Sequence, residues 1–389
     1  MWGWLIHPEK PYTWGFIGRV GLKAMILFII ANGLFMVLQP MDFISRLSLY
    51  NVVFDGRVRL PYAGSDSSQS YAVTMDNIPA MIASHQVARP KADDEFRVLI
   101  LGNSGIWGFL LPPQQTLAPQ LNDMNYLLAD GRRVVAYNLA YPLPLTLRDL
   151  LLLDEAMRYE PDMVVWLVSM TSFFLPSQFV DTMVINNRDG VSQLIDNYEL
   201  AISLSDIKFP EHNFFGQLAS SQQALAELYR NQLYGMMWQS TESDLFIEAY
   251  APLSNDLEED VTWGGFEPFV PLVEDNLFFN VVDVGYTISG DIPLIVITQP
   301  MFIATGANSD VLYNNDAPRW AFDSYRALFT QLAPQRNWHY CDLWDALPNE
   351  FYTDTPFHIN SEGTGELARI IGEMMTDYME FGYLGRECE

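Results

Sequence analysis

Ser104 lies in the run Arg97-Val98-Leu99-Ile100-Leu101-Gly102-Asn103-Ser104-Gly105-Ile106-Trp107-Gly108, where an apolar, β-type stretch stops at a glycine and a hydroxyl follows within the turn. A sharp strand-to-helix turn lifts such a side chain out of the sheet edge. The helix N-terminus behind it favours the oxyanion that an attacking serine generates. A serine hydroxyl is a weak nucleophile until an imidazole takes its proton. The imidazole in turn needs an acid to fix its tautomer and stabilise its charged form. Asp354-Thr355-Pro356-Phe357-His358 offers both groups in one short loop. Asp354 is the first candidate acid, with Asp345 and Asp342 behind it. These residue types point to acyl-group chemistry run by a Ser-His-Asp arrangement.

Each residue also has a plainer reading. Serine is a common helix N-cap, and a loop histidine is usually only solvated. The five histidines narrow the choice. His7 precedes an apolar run, His85 precedes the α/β pattern, His212 falls in an irregular region and His339 begins a short strand. Only His358 follows an acid in a loop that opens a helix.

The elements that must position these groups follow from the hydrophobic pattern. Strands are expected at 96–101, 134–139, 163–168, 292–298 and 338–343, and several are apolar throughout, as strands buried on both faces are. A helix is expected within 106–130, ending near Asp130-Gly131, and others at 147–158, 318–332 and 361–378. Strands alternating with helices imply a parallel sheet covered on both sides. Ligand sites in such a sheet gather beyond the carboxyl ends of the strands. Ser104, 138–144, 169–173, 299–301 and 354–358 all fall there or in late loops. Residues 174–285 break the rhythm and read as an inserted cap, with a helix over 220–239 and an acidic, aromatic stretch over 255–266.

The chain has 389 residues and 49% hydrophobic content, enough for one large α/β domain plus an insertion. A formal net charge of −27, from 21 basic against 48 acidic residues, excludes a nucleic-acid partner. The acidic cluster Asp256-Leu257-Glu258-Glu259-Asp260 lacks the spacing of a calcium loop. Cys341 and Cys388 lack that of a zinc site, so neither a metal nor another cofactor is expected. The two cysteines either pair, pinning the C-terminal tail in an oxidising compartment, or remain free thiols.

Residues 20–38, VGLKAMILFIIANGLFMVL, carry one charge, Lys23, near an end where it can snorkel. A membrane-spanning helix needs about 20 apolar residues, and no small-residue cleavage site follows. An uncleaved signal anchor is the expected reading. Lys10, Arg19 and Lys23 lie nearer the span than Arg46, Arg57 and Arg59, which places the N-terminus in the cytoplasm and the large domain outside. Trp2, Trp4, Tyr12, Trp14 and Phe16 form either an interfacial aromatic belt or a docking surface for a partner.

The run Gly102-Asn103-Ser104-Gly105-Ile106-Trp107-Gly108 resembles the first block of the SGNH (GDSL-type) hydrolases, G-D-S-x-x-x-G. Asp354 and His358, followed by Asn360-Ser361-Glu362-Gly363, resemble the last. The resemblance covers residues 96–173 and 290–380. It implies a flavodoxin-like, three-layer α/β fold with Ser104, His358 and Asp354 as triad. The family includes esterases, lipases and enzymes that transfer O-acyl groups on glycans. Three departures stand out. Asn103 replaces the aspartate beside the serine, and four residues rather than three separate acid from histidine, with Pro356 between. The second block, Asn138-Leu139-Ala140-Tyr141-Pro142-Leu143-Pro144, lacks the glycine whose N–H joins the oxyanion hole, leaving Ala140 or Leu143. The third, Ser169-Met170-Thr171-Ser172, lacks the asparagine donor, leaving Thr171 or Ser169. Gly102 and Gly105 shape the turn; the Ser104 N–H would serve the oxyanion, and Gly105 is a further expected oxyanion residue.

One N-terminal span before an SGNH-like domain is also similar to the membrane-tethered partners of MBOAT acyltransferases. The expected organisation is a cytoplasmic or interfacial segment at 1–19, a transmembrane helix at 20–40 and a connector at 41–95. The core occupies 96–173 and 286–389, with the cap at 174–285 between. The expected activity is a serine acyl-ester hydrolase or O-acyltransferase. Its substrate would be an acylated glycan, a cell-envelope polymer or a small ester. Membrane lipid and a multi-span membrane protein are the expected partners. The alternative is a degenerate SGNH domain that serves as an accessory subunit of a membrane complex.

Overall fold

The computed structural model describes residues 13–38, 40–47, 50–62, 77–210, 250–385 and 388, with scattered positions between 216 and 233. Five strands form one parallel sheet in the order β2-β1-β3-β4-β7. They are β1 (Glu95–Leu101), β2 (Arg133–Asn138), β3 (Met163–Val168), β4 (Leu294–Thr298) and β7 (His339–Asp342). The small hairpin β5 (Leu312–Asn314) and β6 (Ala317–Pro318) lies between the last two. The order is that of a flavodoxin-like doubly wound sheet.

Strand period explains the layers. Leu99 and Leu101 point into one core, while Phe96, Val98 and Ile100 point into the other. Trp166 and Val168 against Val165 and Leu167, then Leu294 and Val296 against Ile295 and Ile297, repeat the division. Helices α4 (Thr146–Ala156), α5 (Asn280–Ser289) and α6 (Arg319–Arg336) cover the first face, and α3 (Leu117–Asp123) and α7 (Ser361–Phe381) the second. This is the three-layer α/β architecture.

The helix expected within 106–130 is α3, which ends at Asp123 rather than near Asp130, and a separate one-turn piece, α2 (Ser104–Trp107), precedes it. Gly108 ends α2 in the left-handed region at φ 88°, where a Cβ would press into Thr116. Pro112 and Pro113 then remove the backbone donors a longer helix would need. The crossover helix α5 straddles the expected cap boundary at 285, and Gly285 packs against the Trp166 ring. Short helices Thr182–Asn186 and Arg188–Tyr198 contribute Met183, Val184, Val191 and Leu194 to the first core. The helix expected over 220–239 lies largely outside the described residues.

Helix α1 (Trp14–Leu38) has 25 residues, an 18-residue stretch with a mean hydropathy of 2.1 and no buried residue. At about 1.5 Å per residue it exceeds the roughly 30 Å hydrocarbon core of a bilayer. It is long and apolar enough to cross a membrane, and it starts earlier than the run at 20–38. Trp2, Trp4 and Tyr12 of the aromatic N-terminus lie outside the described residues, whereas Trp14 is exposed on the helix.

Cys341 and Cys388 form a disulfide, so the free-thiol alternative does not hold. It ties the tail to β7 across a sequence separation of 47. A loop of that length contributes about 3–4 kcal/mol in the chain-entropy account.

The connector after α1 runs beside the sheet edge. Arg57 bridges to His85, and Arg59 bridges in parallel to Asn138 at the end of β2. His85 is fully buried; Nε2 donates to the Val58 carbonyl at 3.1 Å and Nδ1 accepts from the Val87 N–H at 3.1 Å. Burial lowers its pKa to about 4; the Val58 bond opposes the shift and the Arg57 charge adds to it. An unfolded chain takes up this proton near pH 6.5, the folded protein only near 4. The neutral ring's contribution is therefore present above pH 6.5 and is lost as pH falls toward 4, to a total of about 3 kcal/mol. His85→Gln should lose roughly 2–3 kcal/mol less stability than wild type between pH 7.5 and 4.5 by chemical denaturation. Equal losses would remove His85 as a cause of acid sensitivity.

Candidate active site

Strand β1 delivers the turn. Asn103, the N-cap of α2, accepts the Gly105 N–H at 3.0 Å through its Oδ1. The cap is therefore Asn103, and the plainer reading of Ser104 as N-cap does not hold. This also gives Asn103 a physical role where the family motif has aspartate: either side chain offers the accepting oxygen. Ser104 is left half-buried with its hydroxyl unclaimed by its own helix, which is one turn long.

The Ser104 hydroxyl meets His358, with Oγ and Nε2 2.8 Å apart. On the other side of the ring, Nδ1 lies 2.8 Å from Asp354 Oδ1. Asp342 is held instead by Arg326 at 2.7 Å, and Asp345 is exposed. Among the three candidate acids the loop thus brings Asp354 to the ring, despite the four-residue spacing. The loop is tied internally: the Thr353 N–H donates to the His358 carbonyl at 2.9 Å, Thr353 Oγ1 donates to Asp354 Oδ1 at 3.0 Å, and the His358 N–H donates to Thr355 Oγ1 at 3.1 Å. Asn360 then caps α7 by accepting the Gly363 N–H. Phe302 donates its N–H to the Pro356 carbonyl at 2.8 Å and anchors the loop to the segment after β4.

His358 is 7% exposed, with Phe109 stacked on it at 4.9 Å between centroids. Burial lowers its pKa below the ordinary value, and the Asp354 charge and hydrogen bond oppose that shift. The ring is therefore neutral at neutral pH. With Nδ1–H donating to the carboxylate, Nε2 is free to accept the serine proton.

Gly105 is required for space. A Cβ at this position would run into the Phe357 carbonyl, in the loop that carries His358. Gly105→Ala should push that loop away and lower kcat/KM on p-nitrophenyl acetate about 10²-fold, as small misplacements of reacting groups do. Wild-type kcat/KM in this variant would contradict the close approach.

The expected oxyanion residues are placed as follows. The Gly105 N–H is engaged by Asn103, and the Ala140 N–H donates to Asn138 Oδ1 at 3.1 Å. Neither is free as the expectation required, because the asparagine before each turn claims the donor. Thr171 Oγ1 shares a hydrogen bond with Ser169 Oγ at 2.8 Å. Leu143 sits at φ 74°, is 55% exposed, and gives its carbonyl to Arg148 at 2.7 Å. The Ser104 N–H, first in its helix, has no intrahelical acceptor and takes none among the described residues.

Three contributors escaped sequence reading. Arg59 donates to the carbonyls of Gly108 and Leu111 at 2.9 and 3.1 Å and lies 3.8 Å over the Trp107 ring, clamping the segment after the turn. Phe109 covers the imidazole. Tyr62 packs edge-on against Trp107 at 5.8 Å and Tyr141 at 5.5 Å. The W-G-F run after Ser104 was the one available signal for the ring contacts; the connector gave none. A cavity of about 570 Å³ is walled by Tyr62, 141–145, Thr171, Phe174 and Trp263 among others. Among the described residues no group of three or more His, Cys, Asp or Glu could hold a metal.

No family model matches the chain, and no curated protein matches it. A solved structure, a carbohydrate acetylesterase family member from Sinorhizobium meliloti, is similar over 73% of this chain and 98% of that chain. The identity is 11% and the TM-score 0.30, a likeness too distant to add to the geometry.

Proposed function

We propose that this chain is a membrane-anchored serine acyl-ester hydrolase or O-acyltransferase of SGNH type. The observation that carries the reading is the chain of two 2.8 Å hydrogen bonds from Ser104 through His358 to Asp354, at the carboxyl edge of a parallel sheet. In this reading His358 Nε2 takes the proton as Ser104 Oγ attacks the acyl carbonyl, and Asp354 stabilises the imidazolium. The imidazolium returns the proton to the departing alkoxide. Water or a sugar hydroxyl, deprotonated by the same Nε2, then takes the acyl group from Ser104, and the imidazolium returns that proton to the departing Ser104 Oγ. The Ser104 N–H is the backbone donor available to the oxyanion.

An acylated glycan or cell-envelope polymer is the proposed substrate. The anchor α1 would hold the site at a membrane surface, with the N-terminus cytoplasmic and the large domain outside. The Cys341–Cys388 disulfide supports that orientation, since such bonds persist in oxidising compartments. Membrane lipid and a multi-span membrane protein are the proposed partners.

One observation favours a second reading. Two of the expected oxyanion donors, the N–H groups of Gly105 and Ala140, are already engaged. Loss of one such donor costs about 2.7–4 kcal/mol of transition-state stabilisation. A domain so placed suits an accessory subunit of a membrane complex. Turnover decides. The purified protein in nanodiscs should release acetate from p-nitrophenyl acetate and from an O-acetylated polysaccharide, or move it to an added glycan. Absence of both, with a multi-span protein co-purifying, would favour the accessory role.

A further inference from the structure

We propose that the cavity beside Ser104 receives an aliphatic acyl chain longer than acetyl, which rests on Ser104 being the acylated residue. The sheet order places the cavity. Strand β1, which ends in the Ser104 turn, lies between β2 and β3. The cavity is walled both by the loop after β2, at Tyr141 and Leu143, and by the loop after β3, at Thr171 and Phe174. Although no residue of the Ser104 turn lines it, a space that touches both loops borders the end of the strand between them. Two contacts reinforce this: the Tyr141 N–H donates to the Gly102 carbonyl at 3.0 Å, and Tyr62, on the cavity wall, packs on Trp107 of α2.

The wall chemistry selects the occupant. Tyr62, Tyr141, Leu143, Phe174, Val180 and Trp263 present rings and aliphatic groups. Several polar groups on the wall are turned to internal partners. Ser177 Oγ donates to the Phe174 carbonyl at 2.7 Å, and Thr171 pairs with Ser169. Asp181 accepts the Val184 N–H at 3.1 Å and faces Arg148 at 3.5 Å. Arg148 donates to the carbonyls of Pro142, Tyr141 and Leu143. A sugar ring enclosed here would bring several hydroxyls to groups already engaged, and unpaired buried hydroxyls are costly. A hydrocarbon chain needs no such partners. Acetyl, with two carbons, would leave most of about 570 Å³ unfilled. The glycan or other acceptor would then lie outside the cavity, on the open side of Ser104.

The test uses the full chain in nanodiscs and p-nitrophenyl esters from acetate to hexanoate. Each added methylene is expected to raise kcat/KM about fourfold, the factor for burying one methylene. Ser177→Trp, which fills the wall, is expected to bring the hexanoate-to-acetate ratio close to one. A series that is flat or falls beyond acetate overturns the acyl-chain assignment and leaves the hydrolase reading standing. Binding to Ser104→Ala separates the two claims without turnover. Calorimetric titration should show methyl hexanoate binding at least 10²-fold tighter than methyl acetate, following the same fourfold factor. Tight hexanoate binding with no ester turned over would remove the hydrolase and keep the cavity's preference for a chain. Equal binding of the two esters would overturn that preference.

Discussion

Ser104→Ala is expected to lower kcat/KM on p-nitrophenyl acetate by about 10⁵-fold, since removal of the serine from a serine hydrolase leaves only the residual contribution of oxyanion donors and binding. The fold should be unaffected. Ser104 is not the helix cap, and its hydroxyl makes one side-chain bond, to His358. Stability by chemical denaturation should therefore stay within about 0.5 kcal/mol of wild type. A variant that keeps a tenth of the activity would place the reacting group elsewhere. A variant that unfolds would mean that Ser104 carries a structural role its contacts do not account for.

Asp354→Asn is expected to lower kcat about 10⁴-fold by a different route. The carboxylate accepts from Nδ1–H, which keeps the ring proton on the side away from Ser104. An amide in its place can donate to Nδ1, and the ring proton then sits on Nε2, facing the serine, where it cannot accept. The pH profile distinguishes this from lost packing. Burial is the first cause of the lowered His358 pKa, and Asp354 opposes it. In wild type kcat/KM falls as pH drops through the lowered His358 pKa. Removing the carboxylate takes away the opposing influence, so the acid limb of the variant should move further down while the plateau collapses. A plateau within tenfold of wild type, or an acid limb displaced upward, would contradict the positioning of His358 by Asp354.

Much of this site was legible in the chain because the chemistry left few choices. One histidine out of five follows an acid in a loop before a helix, and one serine follows a glycine at the end of an apolar strand. The sheet was legible for a similar reason: β3 is an unbroken apolar run and β4 is apolar up to Thr298, as suits strands buried on both faces. What stayed hidden depends on contacts between distant segments. The hydrophobic content of 106–130 reads as containing a helix, whereas Gly108 and the Pro112-Pro113 pair set a one-turn piece apart from it. The engagement of the Gly105 and Ala140 N–H groups reflects the rotamers of Asn103 and Asn138, which composition does not encode. The connector carries no periodicity, yet its Arg59 and Tyr62 reach the segment after Ser104. Helix α5 belongs to the crossover between β3 and β4, but the irregular stretch before it drew it into the cap. Nothing in the spacing of Cys341 and Cys388 decided between a bond and two thiols, because only the return of the tail to β7 brings them together.

The reading turns on whether the Ser104 hydroxyl is activated by the imidazole beside it. Fluorophosphonate labelling followed by peptide mass spectrometry measures this directly and requires no knowledge of the natural substrate. The adduct is expected on Ser104 in the wild-type protein, and labelling is expected to disappear in His358→Ala while the melting transition persists. A folded wild-type protein that resists the probe, or one that carries the adduct equally well without His358, would contradict the account.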